Sequence, residues 1–187
     1  MIGIYIVIGI IVILVISVIV MYNRLVNMHN QMKNLWAQID VLLKRRYDLI
    51  PNLVETVKGY MEHERGTLEA VTEARNVAQS ASASSPAVRS AAENVLGGAL
   101  GRLMAVVESY PNLKANQNFM ALQQQLTTTE NGISSARQNY NSMVMMCNNM
   151  NQQFPTNIIA RMFSFHDGEY FEVENDDERS AAQVKFS

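Results

Sequence analysis

The chain has 187 residues, of which 48% are apolar, 17% charged and 7% aromatic. That apolar share excludes an intrinsically disordered chain, and a single cysteine excludes a disulfide-stapled scaffold. Fifteen basic against seventeen acidic residues leave a formal charge of −2, too little positive field to hold a polyanion, so nucleic acid is not an expected partner.

No charged side chain precedes Arg24, and fifteen of the twenty residues from Ile2 to Met21 are Ile, Val or Leu. Twenty helical residues reach about 30 Å, the thickness of a bilayer's hydrocarbon core. One transmembrane helix is predicted, with the lipid bilayer as its partner over residues 2–21. Met1-Ile2-Gly3 opens directly into apolar sequence without the basic start of a cleaved signal, so the segment is read as a retained anchor. Tyr5 and Tyr22 sit near its two ends, where amphipathic rings prefer the headgroup level. Apart from the N-terminus itself nothing basic precedes the span, whereas Arg24 and Lys33 follow it closely. The expected topology is a short external N-terminus and a cytoplasmic body. The unpaired Cys147 agrees with a reducing compartment.

Beyond the span, Leu25, Met28, Met32, Leu35, Ile39 and Leu42 alternate spacings of three and four, a helix-packing seam that continues the membrane helix. Pro51 removes one backbone donor and is expected to kink or interrupt that helix. The pattern resumes at Leu53, Val57, Met61, Leu68 and Val71, then dissolves into Ser80-Ala81-Ser82-Ala83-Ser84-Ser85-Pro86, read as an exposed turn. A second helix over about 87–109 places Val95, Leu96, Ala99, Leu103, Met104 and Val107 on one side. Its Gly97 and Gly101 lower helix propensity but permit close backbone approach. Tyr110-Pro111-Asn112 ends it.

The last long helix, near 116–153, carries a seam of Phe119, Leu122, Leu126, Thr129, Ile133, Ala136, Tyr140, Met143, Cys147, Met150 and Phe154. Pro155-Thr156 then starts a short helix with Ile158, Ile159, Met162, Phe163 and Phe165. No stretch alternates with period two for long enough to be a strand, so the predicted class is all-α: a single N-terminal transmembrane helix followed by an antiparallel bundle of long helices. The expected divisions are an anchor at 1–23, a helical body at 24–166 and an acidic tail at 167–187, the tail holding seven acidic and two basic residues.

Spacing assembles no reactive constellation. Glu62-His63-Glu64 are successive helical residues that diverge around the axis, and a solvated charged turn is the better account of them. Cys147 has no histidine near it in sequence and lies on a packing seam, which favours a buried small hydrophobe over a nucleophile. Met143, Met145, Met146, Cys147 and Met150 offer soft ligands of the kind that favour Cu(I), but Met143, Cys147 and Met150 are already seam positions. Met145 and Met146 are better read as an extra apolar face toward another helix or subunit. The glycines of Gly97-Gly98-Ala99-Leu100-Gly101-Arg102 lack the lysine and hydroxyl of a phosphate loop. Lys44-Arg45-Arg46 stands about 35 Å beyond the bilayer edge on a straight helix, out of electrostatic reach, and reads as a solvated face. Ile158, Ile159, Met162 and Phe163 are read as a lid on the bundle's open end ahead of an element dipping into headgroups. No enzyme and no cofactor are expected.

The run Ile39-Asp40-Val41-Leu42-Leu43-Lys44-Arg45-Arg46-Tyr47-Asp48-Leu49-Ile50-Pro51-Asn52-Leu53-Val54, then Val57-Lys58-Gly59-Tyr60 and His63-Glu64, resembles the LemA family of bacterial membrane proteins. The likeness continues through Thr72-Glu73-Ala74-Arg75, Tyr110-Pro111-Asn112-Leu113-Lys114-Ala115, Asn118-Phe119, Thr129-Glu130-Asn131, Ala136-Arg137, Tyr140-Asn141 and Phe154-Pro155, ending near Tyr170-Phe171. The resemblance implies one N-terminal transmembrane helix with the short terminus outside and a cytoplasmic bundle of long helices. It implies no established enzymatic activity and carries over no catalytic residues. The last long helix is unusually rich in Asn, Gln and Met, and the sequence after Phe171 lies outside the shared pattern.

Within the resembling motif, Asp40 faces Lys44 and Lys44 faces Asp48 at helical spacing, pairs worth a few tenths of a kcal/mol each. Pairs that weak do not account for the motif as stability. Arg45, Arg46 and Asp48 beside Pro51 are therefore expected to bond across to Glu130 and Arg137 and fix the register of the last helix. The functional expectation is a noncatalytic, membrane-anchored helical scaffold or adaptor, self-associating as a homo-oligomer and open to other membrane proteins as partners. Its alternatives are a membrane-shaping or lipid-surface-binding module and a copper-handling protein.

Overall fold

The structure, a computed structural model, describes residues 2–61 and 63–171. Six α-helices follow in order: α1 Ile2–Lys58, α2 Arg65–Ser80, α3 Pro86–Val107, α4 Pro111–Lys114, α5 Gln117–Gln152 and α6 Thr156–Met162, with a 3₁₀ turn Ala81–Ala83 between α2 and α3. No strand occurs among the described residues, and the all-α class expected from periodicity is the class observed. The helix starts follow local chemistry. Pro86 and Pro111 occupy first turns, where the missing N–H has no helical partner to lose. Asn116 caps α5, its Oδ1 accepting the backbone N–H groups of Asn118 and Phe119 at 2.9 and 3.1 Å.

One helix among the described residues is long and apolar enough to cross a membrane, with a mean hydropathy of 3.3 over its most apolar window. Residues 2–16 are exposed throughout and pack against no other element. A run of Ile and Val with no protein partner has the surface that lipid requires.

Pro51 does not interrupt α1, which continues to Lys58. Proline at 51 leaves the carbonyl of residue 47 without its helical N–H, and Arg75 of α2 supplies a donor, Nε lying 3.2 Å from the Tyr47 oxygen. Arg75→Ala should therefore cost about 1–3 kcal/mol through an orphaned carbonyl. Restoring an amide with Pro51→Ala should remove much of that loss. A denaturant double-mutant cycle checks this, and equal losses from Arg75→Ala in both backgrounds would overturn it.

The described residues form two compact units, one of 2–39 with 135–170 and one of 40–134 with 171. Within the first, α1 and α5 run antiparallel: Leu25 shares an apolar cluster with Met150, and the Trp36 and Tyr140 rings are 5.1 Å apart. Within the second they do so again. A Cβ on Gly132 would lie 3.3 Å from Leu42, and Asn116 Nδ2 donates to the Tyr60 hydroxyl at 3.0 Å. The α1 seam is thus covered by the chain itself. Leu25 and Ile39 are fully buried, and Met28, Met32, Leu35 and Leu42 are half-buried.

The seam of α5 is buried or half-buried from Phe119 to Met150. Phe154 departs from it, because α5 ends at Gln152 and the chain turns before Pro155. On α3, Leu96, Ala99, Leu103 and Val107 face the core as expected, but Val95 faces out. The buried stripe passes one residue to its side, through Arg89, Glu93 and Leu96.

Candidate functional site

In the second unit a layer of charge is set into the apolar core. Arg46 sits in line with Leu43, Ile50 and Leu53 on the buried face of α1, so its backbone position directs a guanidinium inward. An unpaired charge there would be prohibitively costly. Glu93 of α3, whose side chain is fully buried, answers it: Arg46 Nη2 donates to Oε2 and the Tyr47 hydroxyl donates to Oε1. Arg46 Nη1 also reaches Glu130 of α5 at 2.7 Å. One turn away, Arg89 of α3 pairs with Asp40 of α1. With Arg75 on the Tyr47 carbonyl, the layer links α1 to α2, α3 and α5.

The polar residues singled out in the sequence divide accordingly. Arg46 and Glu130 are brought together. Asp40 takes Arg89 in place of Lys44, while Lys44 and Asp48 form an exposed pair at 2.8 Å. Arg45 and Asp48 do not reach α5: Arg45 is exposed, and Asp48 accepts from Lys44. Arg137 belongs to the other unit. Glu93 and Arg89 lie outside the resembling motifs, and Tyr47 and Arg75 lie within them at positions whose spacing predicts no pairing. Glu93 carried a readable signal, since it shares a helical stripe with Leu96, Leu103 and Val107, where an acid has to be paired.

In the first unit the chain turns at residues 163–164, and residues 165–170 run back along α5 as a strap without regular secondary structure, held by side-chain amides. Tyr140 donates its hydroxyl to the Glu169 carbonyl at 3.0 Å. Asn148 both donates to the Gly168 carbonyl at 3.1 Å and accepts the Gly168 N–H at 2.8 Å. Asn151 donates to the His166 carbonyl and to Asp167, and Gln152 donates to the other Asp167 oxygen at 2.8 Å. The Asn and Gln content of α5 thus offers the strap the partners that a neighbouring strand would. Gly168 lets the strap approach closely, since a Cβ there would come 2.8 Å from Met32 Sδ and that side chain would have to shift. The amides of Gln152 and Asn151 hold the Asp167 carboxyl below its usual range. Residues 172–187, most of the expected acidic tail, and Glu62 lie outside the described residues.

α6 packs on the same unit. Ile159 and Ala160 join Leu25 and Met150 in an apolar cluster, with Val18, Met21, Met28 and Phe165 around it. Ile159 is therefore a core residue, not part of an interaction surface, because the seven-residue helix turns that side inward. Its neighbours face out: Phe154, Ile158, Met162 and Phe163 are 80, 56, 60 and 48% exposed. Phe163 stacks 4.7 Å from the Tyr22 ring. Met145 and Met146 are half exposed on α5, whereas Cys147 is buried. Burial pushes the Cys147 thiol up, which keeps it protonated and disfavours it as a soft-metal ligand.

The LemA family pattern matches residues 35–186, four fifths of the sequence. The chain belongs to the LemA family. The match begins inside α1 and extends past Phe171, where the likeness traced by motif ended, so the acidic C-terminal stretch is part of the family pattern. The whole of the charged layer and the strap fall within it.

Among characterised family relatives, the chain is 26% identical to magnetosome protein MamQ 2 of Paramagnetospirillum magneticum and 25% identical to magnetosome protein MamQ of Magnetospirillum gryphiswaldense. These alignments cover 81 and 80% of the chain, and the chain spans 64% of the length of either relative. Protein LemA of Metamycoplasma hominis is 24% identical, over 81% of this chain and 68% of its own.

Proposed function

We propose that this LemA-family chain is a membrane-anchored, noncatalytic helical scaffold or adaptor that self-associates, with residues 2–21 in the bilayer, a short N-terminus outside and the body cytoplasmic. The exposed face of α3 carries this reading. Val88 and Val95, seven residues apart and 54 and 58% exposed, are joined by the exposed small residues Ala91 and Gly98 into a helix-packing stripe with no partner element in the described residues. A Cβ built at Gly97, Gly98 or Gly101 meets nothing within 4 Å, so a second helix has room to approach the backbone closely. The charged layer supports a structural role, since its carboxylates and guanidinium groups are taken up by one another.

Cross-linking in native membranes, with mass measurement in mild detergent, tests the proposal. Oligomers are expected, and Val88→Glu with Val95→Glu should reduce the associated fraction by placing facing charges in the seam. A strictly monomeric particle in both measurements overturns self-association.

A further inference from the structure

The geometry points to a second membrane contact: α6 and the residues flanking it lie in the interfacial layer of the bilayer that residues 2–21 cross. Phe154, Ile158, Met162 and Phe163 enter the acyl boundary there, and Arg24 and Arg161 meet anionic headgroups. The inference deepens the proposed function and rests on its reading of residues 2–21 as the anchor.

Its depth is set by packing. The buried side of α6 seats on Val18, Met21 and Leu25, which are the last turn of the apolar span and the first turn beyond it. Phe163 seats on Tyr22, the ring placed at headgroup level by the sequence. An element fixed to those residues is held at the edge of the hydrocarbon core whenever the span is in the membrane. Ile158 and Met162 on its other side, with Phe154 before it and Phe163 after it, put four exposed large apolar side chains within ten residues. Four such residues on one short segment are unusual on a surface facing water alone. Ile158 and Met162 are one turn apart and share a face, while Arg161, exposed beside them, keeps its charge in reach of headgroups. Arg24, exposed on α1 between Tyr22 and Leu25, is the first charged side chain beyond the span. A short amphipathic element with apolar residues on one side and cations at its border is the chemistry of interfacial insertion.

Single tryptophans in the full chain, with Trp36→Phe as background, test this in vesicles containing an anionic lipid and a lipid that carries a quencher near the top of its acyl chain. Ile10→Trp reports the anchor, Met162→Trp reports α6, and Val77→Trp reports a surface of α2 exposed elsewhere. Met162→Trp is expected to emit at shorter wavelength than Val77→Trp and to be quenched several-fold more strongly. Replacing Arg24 and Arg161 by glutamine should weaken that quenching. Water-like emission from Met162→Trp with quenching no greater than Val77→Trp overturns the inference while Ile10→Trp remains quenched. If Ile10→Trp is also unquenched, the anchor reading fails with it. Blue-shifted emission at 162 that ignores the lipid quencher and changes with the protein-to-lipid ratio also overturns it, assigning the patch to a second copy.

Discussion

Glu93→Ala is expected to destabilise the full chain by about 3–5 kcal/mol, because it leaves the Arg46 guanidinium and the Tyr47 hydroxyl buried and short of their shared acceptor. Equilibrium unfolding by denaturant in mild detergent is the measurement. Glu93→Gln keeps an acceptor for Tyr47 and should lose less. In double-mutant cycles, Arg46 should couple strongly to Glu93 and only weakly to Glu130, whose side chain is 52% exposed and hydrated. A loss below about 1 kcal/mol on Glu93→Ala would remove the layer as a structural tie. Independence of Arg46 and Glu130 would remove that pair as a determinant of the α5 register.

Leu25→Ala should cost about 2–5 kcal/mol, the range for deleting a fully buried leucine that the surrounding side chains cannot replace. The loss has a location. Leu25 is the residue on which Met150, Ile159 and Ala160 close, so amide exchange should quicken in α6 and at the C-terminal turns of α5. Protection around Leu103 and Phe119, buried in the other unit, should change much less. Uniform loss of protection along the chain would contradict a local role for Leu25.

Much of this organisation was legible in advance. The apolar run to Met21 is long and apolar enough to cross a membrane, since twenty residues without a charge match a bilayer core. The three-and-four spacings on α1 and α5 could belong only to helices, and those seams are buried as their periodicity required. Pro51 was legible as a missing donor but not as a tolerated one. Its consequence depends on Arg75, more than twenty residues away, reaching the carbonyl it exposes. The candidate site was half legible. Arg46 and Glu130 were paired from their place in the motif, but Glu93, the more deeply buried partner, was passed over in a helix otherwise noted for its glycines.

Hydropathy and periodicity are local quantities, and they settle which residues are helical, which helix is apolar enough to cross a membrane and which stripe of each helix is apolar. Which polar groups meet is a different matter. Asp40 had Lys44 at helical spacing and took Arg89, because a guanidinium desolvated in the core gains far more from a carboxylate than an exposed lysine does. The amides of α5 looked like an idiosyncrasy of composition until the strap ran along them. The apolar residues after α5 read as a lid, yet Ile159, Ala160 and Phe165 pack inward while Ile158, Met162 and Phe163 stay exposed beside the end of the span. Burial and pairing depend on side chains brought together from distant parts of the chain, and no local pattern encodes that meeting.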